Sequence, residues 1–386
     1  MDLIFVGFLA VLALGIGLYA VSIPQGGRAW WALAGAIVAL VIAGALTSQS
    51  RTGTICLDLA ELAGVALVWS HATREAVAAA RAYLYSILPA IACMLIAFAL
   101  MGGGGSRPGP AVESLVVCLV IVGFALKLGL IPFYFWLPAV AAAAPMTTAL
   151  IVSVVDIATF AELAAMRQAS PWIFTEHTAV WMVIALLSMF GGALLALAQT
   201  ELKRMLAFST IADLGFLLLG LVAGGPAGLS GAWIGALSHA LSKVILFGAV
   251  GLAEARIGRT VTLDTSGLGA RLPLASAAFI VGALSFIGVP PGFGFVGYWR
   301  IYSAATQLGG LALIGALLVV AGLDLLCYAR AIHRTWLGPP QLAVAGASPW
   351  LAPGVLTVLA VVTVLLGCYP SVLTQAVVPG LLAMAQ

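Results

Sequence analysis

Hydrophobic residues occur along this chain in long runs that are separated by short polar stretches. Because a membrane-spanning helix needs about 20 apolar residues, the runs predict helices near positions 2–22, 29–47, 53–70, 81–101, 112–137, 145–166, 177–199, 203–224, 228–252, 272–303, 309–334 and 350–371. The first run, Leu3 to Val21, has no positive region before it, so we expect a retained helix and not a cleaved signal peptide. The pattern predicts an all-α integral membrane protein of about twelve transmembrane helices, with residues 1–386 in a single membrane domain.

Two of the runs contain residues that interrupt a helix. The interrupted segments are Leu128 to Pro138, with prolines at Pro132 and Pro138, and Gly288 to Gly297, with prolines at Pro290 and Pro291. Proline removes a backbone donor and clashes with the preceding turn. A freed backbone group in a membrane is tolerated only where protein or water satisfies it. A pair of broken helices therefore indicates a transport path, although a packing kink would leave the same pattern.

The distance between the two breaks suggests an internal repeat. We expect residues 29–166 and residues 177–334 to form two five-helix units, followed by a C-terminal helix at 350–371. An odd number of helices in each unit makes the repeat inverted.

Composition supports lipid as the natural solvent of the outer surface. The chain is 63% hydrophobic and 8% charged, with a mean hydropathy of +1.18, whereas soluble domains have roughly 25% charged residues. A net charge of +3 is too small to indicate nucleic acid as a partner. No cofactor or metal motif is predicted, since Gly292 to Gly297 matches a dinucleotide fingerprint only by its letters and follows no strand. The cysteines lack metal or redox spacing, and we interpret them as small core residues: Cys56, Cys93, Cys118, Cys327 and Cys368.

Ionisable residues inside the apolar runs are the candidate chemistry. Lys127 and Lys243 fall within predicted helices, while Lys203 falls in a loop. A buried lysine shifts its pKa readily and an arginine does not, so the buried lysines are the better relay groups. A histidine, His239, lies one turn before Lys243 on the same face. The acids within the runs are Glu61, Asp156, Glu162, Asp213 and Asp324.

The cost of burying charge gives these residues a functional interpretation. A charge at the bilayer centre costs roughly 2.5–3.5 kcal/mol by insertion scales, so we expect the groups to pair or to line water, as in a path for protons or cations. We favour that role for Glu61, Lys127, His239 and Lys243. For Glu162 we favour a structural pair with nearby Arg167.

The remaining ionisable residues leave more than one interpretation open. Asp58 fits a structural or a functional role equally. The pairs Glu61 with Asp213 and Asp156 with Asp324 occupy matching helices of the two proposed units. We expect three further histidines near helix ends to be solvated, namely His71, His177 and His333.

The distribution of lysine and arginine predicts the orientation. Odd-numbered loops hold ten of these residues, including Lys203, and even-numbered loops hold four. Because cytoplasmic loops carry the excess of positive charge, we expect both termini on the outer, periplasmic side of a bacterial inner (plasma) membrane.

Several motifs occur in a fixed order over about residues 29–371. They are Asp58–Leu62 (DLAEL), Lys127–Pro138 (KLGLIPFYFWLP), Ala144–Leu150 (APMTTAL), Ala198–Thr210 (AQTELKRMLAFST), Ser238–Lys243 (SHALSK) and Ala283–Pro291 (ALSFIGVPP). Together they resemble the proton-conducting antiporter-like membrane subunits. This family includes the antiporter-like subunits of respiratory complex I, Mrp-type sodium/proton antiporters and membrane-bound hydrogenase subunits.

The resemblance implies a fold of fourteen helices, of which this chain would lack two leading helices. It implies that Glu61 and Lys127 form the ion pair of the first half-channel, and that His239 and Lys243 form the central pair on the axis. It also implies a multi-subunit complex in which partner subunits carry the electrons.

The chain departs from the family pattern at three places. Asp156 stands where some members have a lysine, and Val152 stands where others have a histidine. Tyr298, with Arg300 two residues on, stands at the twelfth-helix position that often holds lysine or glutamate. Ala139 replaces the acid that follows the broken seventh helix.

We therefore predict a proton- or cation-translocating subunit of a complex I-like, Mrp-like or hydrogenase-like membrane assembly, with no active site or cofactor of its own. In this hypothesis the Glu61–Lys127 pair opens and closes, and its proton moves toward Asp156 and the His239–Lys243 pair. Two alternatives stay open. One is a scaffold subunit whose channel no longer conducts, and the other is an independent secondary transporter with a midplane cavity for a small solute.

Overall fold

The structure, a computed structural model, describes residues 2–23, 26–47, 51–102, 107–339 and 350–371, and these residues are helical almost throughout. The α-helices are α1 (Asp2–Ser22), α2 (Arg28–Leu46), α3 (Arg51–Trp69), α4 (Arg74–Leu100), α5 (Pro110–Lys127), α6 (Trp136–Ala143), α7 (Pro145–Leu150), α8 (Asp156–Ala169), α9 (Trp172–Thr175), α10 (Thr178–Ala198), α11 (Leu202–Ala223), α12 (Gly225–Ile257), α13 (Leu268–Arg271), α14 (Pro273–Phe286), α15 (Phe293–Ala331) and α16 (Leu351–Cys368). Positions 103–106 of the turn predicted after α4 lie outside the described residues.

The number of membrane crossings agrees with the sequence. Eleven helical segments of the described chain are long and apolar enough to cross a membrane. The longest of them contains α15, which is interrupted at Gly310, where φ is 59°. The shorter apolar helix α14 continues across a break into the first part of α15. Counting α14 with that first part, and the rest of α15 separately, gives the twelve crossings expected.

Both predicted interruptions are present, one between α5 and α6 and one between α14 and α15. In the first break, Gly129 has a φ of 62° and stands three positions before Pro132, which follows a cis peptide bond. In the second break, Gly288 has a φ of 75° and stands three positions before Pro291, which also follows a cis peptide bond. Glycine adopts this left-handed conformation without the steric cost of a Cβ atom. The two breaks thus share a glycine of positive φ three positions before a proline.

Pro138 does not interrupt a helix as predicted. It lies in the first turn of α6, where backbone N–H groups have no partner within the helix, so a proline is tolerated.

Side chains satisfy the backbone groups that the first break leaves without helical partners. The carbonyl of Leu126 accepts hydrogen bonds from Ser86 Oγ at 3.0 Å and from Trp136 Nε1 at 3.1 Å. The amide of Ile131 donates to Ser188 Oγ at 3.1 Å. Protein groups therefore replace the missing bonds, as a break inside a membrane requires.

A π-helical segment that the sequence did not predict joins α7 to α8. It spans Ile151–Val155 and ends immediately before Asp156. Segments of this kind are frequent at functional sites. The extra residue in the turn changes which face of α8 points into the bundle.

Two helices form the centre of the bundle. Every residue in the spanning window of α11 is buried, and nearly every one in that of α12 is buried, whereas most of the other spanning helices expose half of their windows or more. Side chains placed on α11 and α12 are therefore shielded from lipid by the surrounding helices.

Contacts between connections show which of them share a side of the bundle. Thr147 Oγ1 accepts from Trp30 Nε1 at 3.0 Å and lies 2.8 Å from His71 Nε2, which brings the first, third and fifth connections together. On the other side, Arg107 donates to Glu176 at 2.7 Å and joins the fourth and sixth connections. The first, third and fifth connections therefore lie at one side of the bundle, and the fourth and sixth lie at the other.

Some expectations about single residues were wrong. Four of the five cysteines are not in the core, since Cys327 alone is buried and Cys118 and Cys368 are exposed, while the other two are half-buried. His71 and His177 are half-buried and not fully solvated, whereas His333 is exposed as predicted. Neighbouring helices cover the helix ends that carry His71 and His177, which explains why these two side chains are only partly exposed.

Candidate functional site

A first cluster of charged groups surrounds the ammonium of Lys127, the last residue of α5. Its Nζ lies 2.6 Å from Asp58 Oδ1, 3.3 Å from Glu162 Oε2 and 3.5 Å from Glu61 Oε1. All four side chains are less than one-tenth exposed. Helix α3 supplies Asp58 and Glu61, and α8 supplies Glu162, so three carboxyl groups share one ammonium group. We call these four residues the Lys127 cluster.

The predicted Glu61–Lys127 contact is present, but Asp58 is the nearer partner of Lys127. Asp58 precedes Glu61 by three residues, so both lie on one face of α3, and the sequence contained that signal. The structural pair favoured for Glu162 is wrong. Arg167 instead lies over the ring of Phe174, 5.7 Å from its centroid. The contact of Glu162 with Lys127 was not predicted, because the extra residue of a π-helical turn, here in the segment before α8, shifts the helical register that the sequence pattern assumes.

Local structure holds Lys127 in place. The residue closes the last turn of α5, where the helix dipole favours a positive charge. The break begins directly after it, and the preceding carbonyl is fixed by Ser86 and Trp136. The ring of Tyr83 stacks on Trp136 with centroids 4.2 Å apart. These contacts fix the backbone from which the Lys127 side chain extends.

Asp156 lies next to the Lys127 cluster. It is 1% exposed, and its Oδ2 atom has no hydrogen-bond partner among the described protein atoms. Thr159, one turn further along α8, donates to Glu61 Oε1 at 2.9 Å. Asp156 is close enough to Glu61 for their charges to interact. This placement is compatible with the predicted step from the cluster to Asp156.

A second cluster is centred on Asp213 of α11. Its Oδ2 atom lies 2.6 Å from His239 Nδ1, and its Oδ1 atom accepts a hydrogen bond from Tyr298. The carboxyl group thus has one partner on α12 and one on α15. His239 Nε2 has no hydrogen-bond partner among the described atoms, so that ring nitrogen is available for a further hydrogen bond.

Among the described residues, the hydrogen-bond partners of Lys243, one turn beyond His239, are neutral groups. Its Nζ donates to the carbonyl of Leu206 at 2.9 Å and to Ser209 Oγ at 2.8 Å. It also lies 3.9 Å from the ring centroid of Phe286, a contact that attracts a cation. Ser209 Oγ lies 2.8 Å from the hydroxyl of Tyr328. The predicted central pair is therefore present on one face of α12, but its two members contact different partners.

A small cavity borders the second cluster. Its volume is about 30 Å³, and its polar lining comes from Asp213, Tyr298, Tyr302 and Asp324. A cavity of this measure has room for about two water molecules. Asp324 Oδ1 is buried without a hydrogen-bond partner among the described atoms. Asp324 and Asp213, both predicted as possible relay groups, thus face one polar space.

Lys203 is not in a loop as predicted. It is buried at the start of α11, where Nζ lies 3.2 Å from Glu254 Oε2 and donates to the carbonyl of Ala142 at 2.9 Å. Ala142 lies in the last turn of α6, where a cation is favourable. The lysine ties the half-helix after the first break to α11 and α12. The prediction was wrong because the connection before α11 is short and packed against the bundle.

The fold and the two buried clusters define a multi-pass membrane protein with an ionisable interior. Residues 65–323 match the family described as NADH:quinone oxidoreductase/Mrp antiporter, TM. NADH-quinone oxidoreductase subunit N of Rhodococcus opacus is 33% identical over 297 residues, which cover 75% of this chain and 54% of that protein. The subunit N of Mycobacterium tuberculosis is 33% identical over 266 residues, 66% of this chain and 50% of that protein. The chain spans about half the length of the curated relatives it matches.

Solved structures share the fold. A chain of the Mrp complex from Dietzia sp. DQ12-45-1b superposes with a TM-score of 0.84 at 24% identity, over 95% of this chain and 80% of that chain. A chain of respiratory complex I from Thermus thermophilus gives a TM-score of 0.81 at 25% identity, over 97% and 86% of the two chains. The chain belongs to the NADH:quinone oxidoreductase/Mrp antiporter family, which confirms the resemblance seen in the motifs.

Proposed function

We propose that this chain is a proton- or cation-translocating, antiporter-like subunit of a multi-subunit, complex I-like membrane assembly. The single observation that carries the proposal is the pair of ionisable clusters buried inside the bundle. A charge at the centre of a membrane is costly, and such residues mark ion pathways and proton relays. The family membership supports the same function.

The two lysines have different roles in this proposal. Lys127 is held by carboxyl groups, of which Asp58 is the nearest, so its proton stays until Asp58 moves away or is protonated. The partners of Lys243 within the described part of the chain are neutral, so none of them fixes its charge. A proton would pass from the Lys127 cluster toward Asp156 and then to the second cluster, with water bridging the longer gaps.

The outlet of the path lies at the small cavity. Asp213 would receive a proton from His239 through their 2.6 Å contact. Tyr298 and Asp324 would then carry it toward the outside of the bundle, in place of the lysine or glutamate that the resemblance leads one to expect. The cavity is far smaller than the roughly 300–1,000 Å³ of small-molecule sites, so it does not favour transport of an organic solute.

Orientation and partners are part of the proposal. Odd connections, which share one side, hold the excess of arginine and would face the cytoplasm of a bacterial cell. Both termini would then be periplasmic. The relatives are named as subunits of NADH-quinone oxidoreductase, and we propose that this chain likewise binds other membrane subunits, which would carry any electron transfer.

Proton flux in liposomes tests the proposal. The purified chain is reconstituted, a pH gradient is imposed, and the internal pH is followed with a trapped dye. We expect flux above the leak of empty liposomes, and loss of that flux in Lys127→Ala. Glu176→Gln, at an exposed ion pair with Arg107, serves as the matched control and should conduct normally. Normal flux in Lys127→Ala would remove Lys127 from the mechanism, and no flux in the unaltered chain would favour the scaffold alternative.

A further inference from the structure

We propose that the Lys127 cluster is a proton store, in which one carboxyl group is ionised at rest and the other two each hold a proton. The inference deepens the proposed function and rests on it for its purpose, because it names where protons wait before they move. The geometry of the four residues carries it.

Charge balance limits how many carboxyl groups of the cluster can be ionised. Asp58, Glu61 and Glu162 would contribute three negative charges if all were ionised, and Lys127 contributes one positive charge. In the described ion pairs, Lys127 is the cation that pairs with each of the three carboxyl groups. A buried carboxylate without its own compensating charge is very costly, and such a group takes up a proton instead. Two of the three carboxyl groups are therefore protonated.

Distances indicate which group is ionised. Asp58 Oδ1 makes the shortest contact with Nζ, at 2.6 Å, as expected of a charge-assisted hydrogen bond. The contacts of Glu162 at 3.3 Å and of Glu61 at 3.5 Å are longer. Asp58 is therefore assigned as the carboxylate.

The two glutamates each present one oxygen for a proton. Each turns one oxygen toward Nζ, and the other, Glu61 Oε2 or Glu162 Oε1, is buried with no hydrogen-bond partner among the described atoms. Both side chains are more than nine-tenths buried. These two oxygens are the proton positions of the store.

A bound metal ion would balance the same charge, but the geometry favours protons. The ammonium nitrogen already occupies the point that the three carboxyl groups share. Within the part of the chain that the structure describes, no group of three or more Asp, Glu, His or Cys side chains is placed to hold a metal ion.

Release and loading are simple proton transfers. When Glu162 gives its proton to an incoming water chain, its O–H bond breaks, the water becomes hydronium, and the new carboxylate lies beside an unchanged Lys127 ammonium. Loading reverses this step. The store thus exchanges protons without removing the charge from Lys127.

Infrared spectroscopy of the purified chain in detergent tests the inference by counting protonated carboxyl groups. The measurement follows the C=O stretching bands of carboxylic acids at neutral pH, identified by their shift in D₂O and by ¹³C labelling of Asp or Glu. We expect Asp58→Asn, Glu61→Gln and Glu162→Gln each to lower the count by one, since one ionised group remains in every case. Lys127→Met should raise the count by one, because the last carboxylate then loses its counter-ion.

Further variants control for misfolding. Lys127→Arg keeps the positive charge and should leave the count unchanged, and Glu176→Gln, at an exposed carboxylate, should also leave it unchanged. Unchanged spectra in both Glu162→Gln and Lys127→Met would overturn the store. Bands that appear only after Na⁺ is removed would also overturn it, by showing a bound cation. The number of protonated carboxyl groups is measured without transport. A negative result for the store is therefore distinguishable from a negative result for proton flux.

Discussion

Lys127 and Lys243 are both fully buried, yet their immediate surroundings differ in charge. Lys127 contacts three carboxyl groups, and Lys243 contacts a carbonyl, a hydroxyl and an aromatic ring. Carboxyl groups in direct contact hold Lys127, whereas the described groups in contact with Lys243 carry no charge. The two lysines therefore suit different steps of one relay.

The hydroxyl of Tyr298 is predicted to matter for conduction. Tyr298→Phe keeps the ring that packs against Phe216, with centroids 4.7 Å apart, and removes the donor to Asp213. We expect slower proton flux in liposomes and a thermal unfolding midpoint that falls by no more than the loss of one hydrogen bond causes, because Asp213 loses one of its two partners. Tyr85→Phe, on an exposed face, is the control. Flux in Tyr298→Phe equal to that of the unaltered chain would exclude Tyr298 from the outlet.

His71 is predicted to make stability depend on pH. Partial burial lowers the pKa of His71 below its usual value of 6.5, so the unfolded chain binds a proton that the folded chain does not. Stability contributed by neutral His71 is present above pH about 6.5 and declines below it. We expect the thermal unfolding midpoint in detergent to fall more between pH ~7.5 and ~5.5 in the unaltered chain than in His71→Gln. Parallel declines would contradict this assignment.

At the scale of elements, the two broken helices place chemistry beside irregular backbone. Lys127 closes α5 before the first break, and Phe286, which contacts Lys243, closes α14 before the second. The residue just before each break is therefore either a buried lysine, Lys127, or a ring in contact with one, Phe286 beside Lys243. The breaks were predictable because proline and glycine interrupt an apolar run visibly.

Gly129→Ala tests whether the first break needs its left-handed residue. An alanine at φ 62° is strained, and its Cβ would lie 3.3 Å from Trp136 Nε1. We expect destabilisation of about 1 kcal/mol or more, seen as a lower thermal unfolding midpoint. Gly35→Ala, whose Cβ would meet nothing within 4 Å in α2, should be neutral or stabilising. Equal midpoints for the two variants would show that the break does not depend on Gly129.

Features that depend on tertiary contacts were not predictable in the same way. The sequence indicated Glu61, Lys127, His239 and Lys243, because a charge inside an apolar run stands out. It did not indicate the role of Glu162, because a π-helical segment leaves no pattern of hydrophobic residues.

The same limit applies to the ends of helices. The burial of Lys203 depends on Glu254 and on the carbonyl of Ala142, both distant in sequence. Twelve crossings and two breaks, in contrast, follow from apolar runs and their interruptions alone.

At the scale of the whole molecule, α11 and α12 form a core that lipid does not reach. They carry Asp213, His239 and Lys243, while α3, α5 and α8 carry the Lys127 cluster. The interior therefore contains two groups of ionisable residues inside one bundle. We propose that protons pass through both groups in series.

Proton flux through matched single and double variants tests that claim most directly. Lys127→Met, Lys243→Met and the double variant are reconstituted at equal density and compared with the unaltered chain and with Glu176→Gln. A path in series predicts that either single substitution reduces flux to the leak of empty liposomes and that the double variant is no lower. If either single variant retains half of the flux or more, the two clusters do not form one path, and the account is contradicted.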